Sequence, residues 1–313
     1  MAKTYTPNFN KFNSLFELVI YFDTEEKCRK FISANRWGDN VVCPYCGEQH
    51  CYERSDGRFK CPHCNKSFSC RVGTIFEDSN LPLRKWFMAM YLISSHKKGI
   101  SSVQLSKDIN VTQKTAWFLL HKIRTLMAQD DAVALCGEVE CDEMYLGGRE
   151  RNKHQNRHTE GTQGRSTKTK SPIFGMVQRD GNAVAVVVED AKASTLIPII
   201  KQFVEEGSMV YTDELSAYHS LASEGYLHRF VRHSEREFSR EGISTNCIEG
   251  FWGHFVRMVF GTYHYVSRKY LQRYIDEAVY RYNTSEALEG ERFQDLFSKS
   301  LSVCNYRMVK MAA

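Results

Sequence analysis

Two copies of one four-residue knuckle, CPYC at Cys43–Cys46 and CPHC at Cys61–Cys64, stand 14 residues apart. No other feature limits the local fold so strictly. A Cys-x-x-Cys turn sets two thiolates on one edge of a metal ion, and a matched pair supplies the four tetrahedral ligands of a structural Zn²⁺. The segment between the knuckles alternates like a β-hairpin and carries Gly57, and KSFSCRVGTIF continues as strand. A zinc ribbon over residues 41–80 is therefore expected, held by Cys43, Cys46, Cys61 and Cys64. His50, Cys51, His63 and Cys70 read as packing or surface residues. The chain has 11 cysteines and no export signal, which fits a reducing, cytoplasmic compartment where paired cysteines more often bind metal than form disulfides.

Three acids carry the second signal. Asp142 follows the β-type run Glu138–Cys141, Asp213 follows Ser208–Thr212, and Glu249 opens a long amphipathic segment. Two neighbouring strand ends and a helix start could bring these carboxylates to one point. Such a trio suits Mg²⁺, which takes carboxylate oxygens octahedrally, and a metal pair can stabilise both the attacking and the leaving oxygen of a phosphodiester. Without a cation the trio would repel, by about 4 kcal/mol per pair at about 4 Å and an effective dielectric of about 20. Each acid also has a plainer use. Asp142 fits a strand-terminal turn, Asp213 an N-cap for the segment around Ser216–Ala222, and Glu249 a capping box with Asn246. Side-chain alternation along a strand puts Glu143 on the face opposite Asp142 and sets Glu143 and Glu214 aside as ligands.

At 313 residues with 42% apolar content the chain is long enough for several domains with a real core. The first 40 residues read as a helical lead-in, capped at Asp23 or Thr24. Residues 81–133 contain an aromatic helix to Lys97 and then a short helix, a turn at Ile109–Asn110 and a longer helix capped by Thr112. That layout is a helix-turn-helix, in which Thr112, Gln113, Lys114 and Thr115 would face base edges while Leu119, Leu120 and Ile123 pack inward. A plain helical hairpin remains open, because the turn lacks glycine. From residue 134 the pattern becomes three strands, a helix, a strand, a helix, a short strand and a long helix, the order of an α/β RNase H-like sheet spanning 134–290. Asp180-Gly181-Asn182 marks a hairpin. Residues 291–313 read as a C-terminal tail. Ile248, Phe251, Trp252, Phe255, Val259 and Phe260 form the stripe expected to face the sheet.

Charge is unevenly placed. The net value is +5, and between Arg149 and Pro172 seven Lys/Arg face two Glu. This stretch includes Arg149, Arg151 and Lys153, and the segment Gly147–Pro172 around it is expected to be a mobile DNA-contacting loop. A second basic stretch, His254–Arg273, contains Arg257, Arg268 and Lys269 and no acid.

YLGGRERNKH after Asp142, YTDELSAY around Asp213, and TNCIEGFWGHFVRMVFGTYHYVSRKYLQRYIDEAVYRYN resemble DDE transposases of bacterial insertion sequences, in the zinc-ribbon-bearing group related to Merlin elements. The resemblance spans roughly residues 10–290. It implies that Asp142, Asp213 and Glu249 hold two Mg²⁺, for which Mn²⁺ may substitute, and that the four cysteines hold Zn²⁺. It also implies binding to double-stranded DNA at terminal inverted repeats and at a target, cleavage followed by strand transfer, and a homodimer or larger assembly near the nucleoid, away from any membrane. Some relatives use an asparagine as third residue, and Asn246 lies one turn from Glu249. A DNA-binding regulator without catalysis and an RNase H-like nuclease are the competing readings.

Overall fold

A computed structural model describes residues 12–129, 134–147, 166–231, 239–240 and 243–301. The chain divides into two compact units, residues 1–127 with 286–313, and residues 128–285.

In the first unit, α1 (Leu15–Tyr21) and α2 (Glu25–Trp37) start where Ser14 and Thr24 accept the amides of Glu17 and Lys27, at 3.2 and 3.3 Å. A three-stranded antiparallel meander follows, β1 (Tyr52–Glu53), β2 (Phe59–Lys60) and β3 (Ser67–Phe68). Next come α3 (Leu83–Ser95), α4 (Ser102–Asp108) and α5 (Gln113–Leu126). The turn between α4 and α5 places Asn110 at φ +50°. Asparagine tolerates the left-handed region, so it does the work of the missing glycine.

The expected C-terminal tail is instead largely a helix. Glu289–Ser300 is α9, and it returns to the first unit, where Phe293, Leu296 and Phe297 are buried. Phe297 lies 4.6 Å from Phe31 and 5.5 Å from Phe87, ring centre to ring centre. Phe22 packs edge-on against Phe87 at 4.7 Å. The Phe31–Phe297 pair is tilted, and the two pairs on Phe87 are edge-to-face, a preferred geometry of aromatic pairs. They tie the amino-terminal helices to a segment about 270 residues downstream.

The second unit is built on a five-stranded sheet ordered β6-β5-β4-β7-β8. Its strands are β4 (Glu138–Gly147), β5 (Lys170–Gln178), β6 (Ala183–Val187), β7 (Met209–Thr212) and β8 (Leu227–Phe230). The first three pair antiparallel, while β7 and β8 run parallel to β4. Alternation along β4 and β5 feeds two separate cores. Val139, Cys141, Phe174 and Met176 pack towards α6 (Ala193–Phe203), whereas Ile173 and Val177 pack towards α7 (Asn246–Met258) and α8 (Leu271–Asn283). The edge strand β6 is covered. Asn283 bonds the amide and carbonyl of Ala183, Gln129 and Gln272 take those of Ala185, and Gln272 accepts from Val187. Capping an edge in this way removes a template for unwanted pairing.

Asp180 takes φ +55° in the β5–β6 hairpin. The stripe on α7 is buried through Val259, but Phe260 is 57% exposed. Residues Val259–Tyr263 form a π-helical turn, which changes the pitch and swings the stripe's last residue outward. Among the described residues, no helix is long and apolar enough to cross a membrane.

Candidate metal centres and nucleic-acid interface

The ribbon cysteines converge as their spacing requires. Cys43 Sγ lies 3.7 Å from Cys64 Sγ, and Cys46 Sγ 3.5 Å from Cys61 Sγ. A tetrahedron with Zn–S near 2.3 Å has edges of about 3.8 Å, so the donor set fits Zn²⁺. Electrostatics divide the thiols. Burial pushes Cys61 up, but the amides of Cys64 and His63 and the adjacent thiols outweigh it and leave it at about 6. Cys46 goes the other way, to about 12, because burial and the neighbouring sulfurs outweigh the amide of Glu48. Cys51 stays outside the four-sulfur cluster and donates to Glu48 O at 3.7 Å.

The acidic site is set by the sheet. The parallel ladder between β4 and β7 ends at Glu140–Tyr211, and two residues further along each strand come Asp142 and Asp213. Neighbouring strands run about 4.8 Å apart, so the two aspartates are neighbours by construction. Asp142 does not end its strand, as the sequence led us to expect. It sits inside β4, opposite Gly175 of β5. Burial pushes its carboxyl up to about 6, helped by the charges of Asp213 and Glu249, while the Glu143 amide and the Trp252 indole oppose the rise. Trp252 Nε1 donates to Asp142 Oδ2 at 3.1 Å. The indole reaches the carboxylate because Gly175 has no side chain. A Cβ there would lie 2.5 Å from Trp252 Cζ2.

Asp213 is buried, and its Oδ1 accepts the Leu215 amide at 2.9 Å. That bond makes a local turn rather than a helix cap, since the next elements are the short 3₁₀ turns Ser216–Tyr218 and Leu221–Glu224. Glu249 is exposed on the first turn of α7. The capping box with Asn246 does not form. Thr245 is the N-cap, one residue earlier, and its side chain makes no cap bond. Glu249 Oε1 instead receives the Thr245 hydroxyl at 3.4 Å. Asn246 is exposed one position after that cap.

Carboxylate oxygens of Asp142, Glu143 and Asp213 all lie within 4.8 Å of one another. Octahedral Mg²⁺ with oxygens at about 2.1 Å spans about 4.2 Å between opposite ligands, so these donors fit a divalent ion with slight closure. Alternation was right about faces, since Glu143 takes the Tyr218 hydroxyl from the α6 side while Asp142 meets Trp252 of α7. The cluster nonetheless includes Glu143, which alternation had set aside. Beyond the last rung of the β4–β7 ladder, side chains from both faces reach the same open end. Glu249 lies outside this three-residue cluster, although its charge acts on Asp142.

Residues 134–283 match the ISXO2-like transposase domain, and residues 23–67 match a transposase zinc-ribbon domain. A transposase-like protein of Haemophilus influenzae is 32% identical over 101 residues, covering 32% of this chain and 80% of its own. The chain belongs to the ISXO2-like transposase family. A protein of transposable element ISH50 from Halobacterium salinarum is 29% identical over 242 residues, covering 73% of this chain and 81% of its own. Among solved structures, a pre-cleavage Mos1 transpososome aligns over 96% of this chain and 100% of its own at 10% identity, with a TM-score of 0.26.

In this family member, Thr112, Gln113, Lys114 and Thr115 are all exposed at the start of α5. Their side chains are not equally available. Thr112 Oγ1 accepts the Thr115 amide at 3.2 Å and bonds the Thr115 hydroxyl at 2.8 Å, and Gln113 Nε2 donates to Ser102 Oγ at 2.8 Å. Arg257, Arg268 and Lys269 are exposed on the second unit. Arg149, Arg151 and Lys153 lie outside the described residues, and the expected loop stops short of Pro172, because β5 already begins at Lys170 and pairs with β4 there.

Proposed function

We propose that this chain is a DNA transposase that cleaves the ends of its element and joins them to a target, with Asp142, Asp213 and Glu249 as the catalytic acids. The observation that carries the reading is the meeting of Asp142 and Asp213 at the open end of adjacent parallel strands, with Glu249 on the helix above them. The sheet order and the helices on its two faces support an RNase H-like core. The α4–α5 pair, with its left-handed Asn110 and exposed α5 start, supports a helix-turn-helix.

Asp142 and Asp213, with Glu143 beside them and Glu249 closing from α7, would hold Mg²⁺. Bound there, the metal would supply a water of lowered pKa and shield charge building on the phosphate. The chain's own contribution is orientation. The sheet fixes the two aspartates, Trp252 steers Asp142, and Tyr218 steers Glu143. Arg257, Arg268 and Lys269 supply positive charge for the DNA backbone, which makes affinity fall with salt.

A strand-transfer assay tests the reading, using full-length protein, Mg²⁺ and oligonucleotides copied from the inverted repeats flanking the gene. Asp213→Asn should lose at least about a hundredfold in joined product while retaining repeat binding, since even outer partners of a metal cost about 10–100-fold. Equal product from variant and wild type would refute catalysis at this site.

A further inference from the structure

Resting on that active-site reading, we infer that Glu140 is a positioning residue which, with Trp252, pins α7 to β4 at two points and so sets where Glu249 stands relative to Asp142. Glu140 is fully buried on β4, two residues before Asp142 and on the same face. Its Oε2 accepts the backbone amides of Cys247 and Ile248, at 2.8 and 3.1 Å. These are first-turn amides of α7, groups without a partner inside the helix. The N-cap side chain does not serve them. A carboxylate there also meets the positive end of the helix dipole.

The second attachment is the Trp252 indole on Asp142. The two attachments match in length. Two strand residues, from 140 to 142, advance about 6.7 Å, and four to five helix residues, from 247 or 248 to 252, advance about 6–7.5 Å. Glu249 lies between the two pins, so sliding or rotating it would break at least one of them.

The other oxygen of Glu140 is held by Arg179. Arg179 Nε donates to Glu140 Oε1 at 2.9 Å, and its Nη2 donates to the Ser244 carbonyl and hydroxyl, each at 3.1 Å. The guanidinium thus offsets a buried charge and ties the segment leading into α7 to the same carboxylate. Burying an unpaired carboxylate would be costly, and the arrangement pairs it on both oxygens.

The experiment compares full-length wild type, Glu140→Gln, Trp252→Phe and the double variant, with Asp142→Asn and Glu249→Gln as controls. It measures Mn²⁺ binding by paramagnetic resonance, the Mg²⁺ concentration for half-maximal end cleavage, repeat-DNA affinity and melting temperature. Glu140→Gln should raise the half-saturating metal concentration by about 10–100-fold, the cost typical of outer-shell groups, with repeat-DNA affinity unchanged. Trp252→Phe should shift it the same way by less. The double variant should fall short of the product of the two shifts, because both act on one helix placement.

A folded Glu140→Gln protein with wild-type metal dependence overturns the inference. So does one that only melts earlier and cleaves more slowly at unchanged metal requirement. If Glu140→Gln fails to fold, Trp252→Phe decides, and wild-type metal dependence there is equally fatal. Active Asp142→Asn and Glu249→Gln controls would instead refute the active-site reading. Inactive controls beside a wild-type-like Glu140→Gln would leave that reading standing and remove the pin alone.

Discussion

The two candidate metal centres are made in opposite ways. The ribbon draws four sulfurs from residues 43–64, through two Cys-Pro-x-Cys turns joined by a short hairpin. The acidic site draws on residues 142, 143 and 213, with 249 nearby, and exists only when two strands run parallel and a helix lies across them. A local centre depends on its ion for shape, whereas a long-range centre inherits its shape from the fold and must withstand its own repulsion. Perturbing the ions should therefore have opposite consequences at the two places.

The largest effect is expected at the ribbon. Structural zinc contributes about 10–16 kcal/mol of apparent binding energy in finger peptides, more than a residue group of this size can replace by burying a core. Chelation, or Cys61→Ser, should unfold the ribbon and abolish repeat-DNA binding. The second unit should keep its own melting transition by calorimetry. Loss of both transitions together would erase the contrast between the centres.

At the acidic site, removing charge should stabilise. The Asp142 carboxyl is raised from 3.8 to about 6 by burial and by Asp213. Because the folded state holds this proton more tightly, the associated stability is complete below pH 3.8, falls as pH rises to about 6, and stays lost above it. Asp142→Asn should thus raise the stability of metal-free protein above pH 6 by up to about 3 kcal/mol and change it little below pH 4. Saturating Mg²⁺ should reverse the order, stabilising only the wild type. A variant less stable than wild type in chelator at pH 7.5 would mean that the carboxylates are not in tension.

How far each region could be read in advance follows the same division. The cysteine knuckles, the Thr24 and Thr112 caps, and the Asp180 hairpin are local chemistry, and each was legible from a handful of adjacent residues. Asp142 and Asp213 were legible as neighbours from the β-type runs before them, although Asp142 sits inside β4 rather than at its end. Glu143 was not, since strand alternation says which face a side chain leaves from but not that the ladder stops three residues before it. The capping box at Glu249 failed because the N-cap stands one residue before Asn246, at Thr245, and the Glu249 amide that Asn246 would have served donates to the Thr245 carbonyl instead. Phe293, Leu296 and Phe297 carry helical spacing in plain sight, but a partner at Phe31 and Phe87 cannot be guessed from a C-terminal segment alone.

A smaller effect tests the close approach behind the acidic site. Gly175→Ala would put a Cβ 2.5 Å from Trp252 Cζ2, 2.8 Å from Cη2 and 3.0 Å from Ile248 Cδ1. Two of these are ring atoms of a buried indole, which cannot bend away. Overpacking of this kind costs about 1–3 kcal/mol, and the displaced indole would release Asp142. End cleavage should fall by more than the stability loss explains, whereas an equivalent overpacking substitution in the α6 core, away from Asp142, should lower stability alone. Equal activity loss from both would show that Trp252 does nothing specific for the carboxylate.

The smallest effect returns to the locally encoded unit. Thr112 accepts the Thr115 amide and bonds the Thr115 hydroxyl, so its oxygen is engaged in starting α5. Replacing an N-cap hydroxyl with alanine costs about 1 kcal/mol, and Thr112→Ser should restore most of it. Lys114, exposed beside them, is the residue whose loss should weaken DNA binding without changing the melting temperature. If Thr112→Ser restored stability but left repeat-DNA affinity at the alanine level, the threonine methyl would be touching a base. If affinity recovered with stability, Thr112 would act on DNA only through the helix it begins, a structural duty fixed by its immediate neighbours, as the cysteines' duty is.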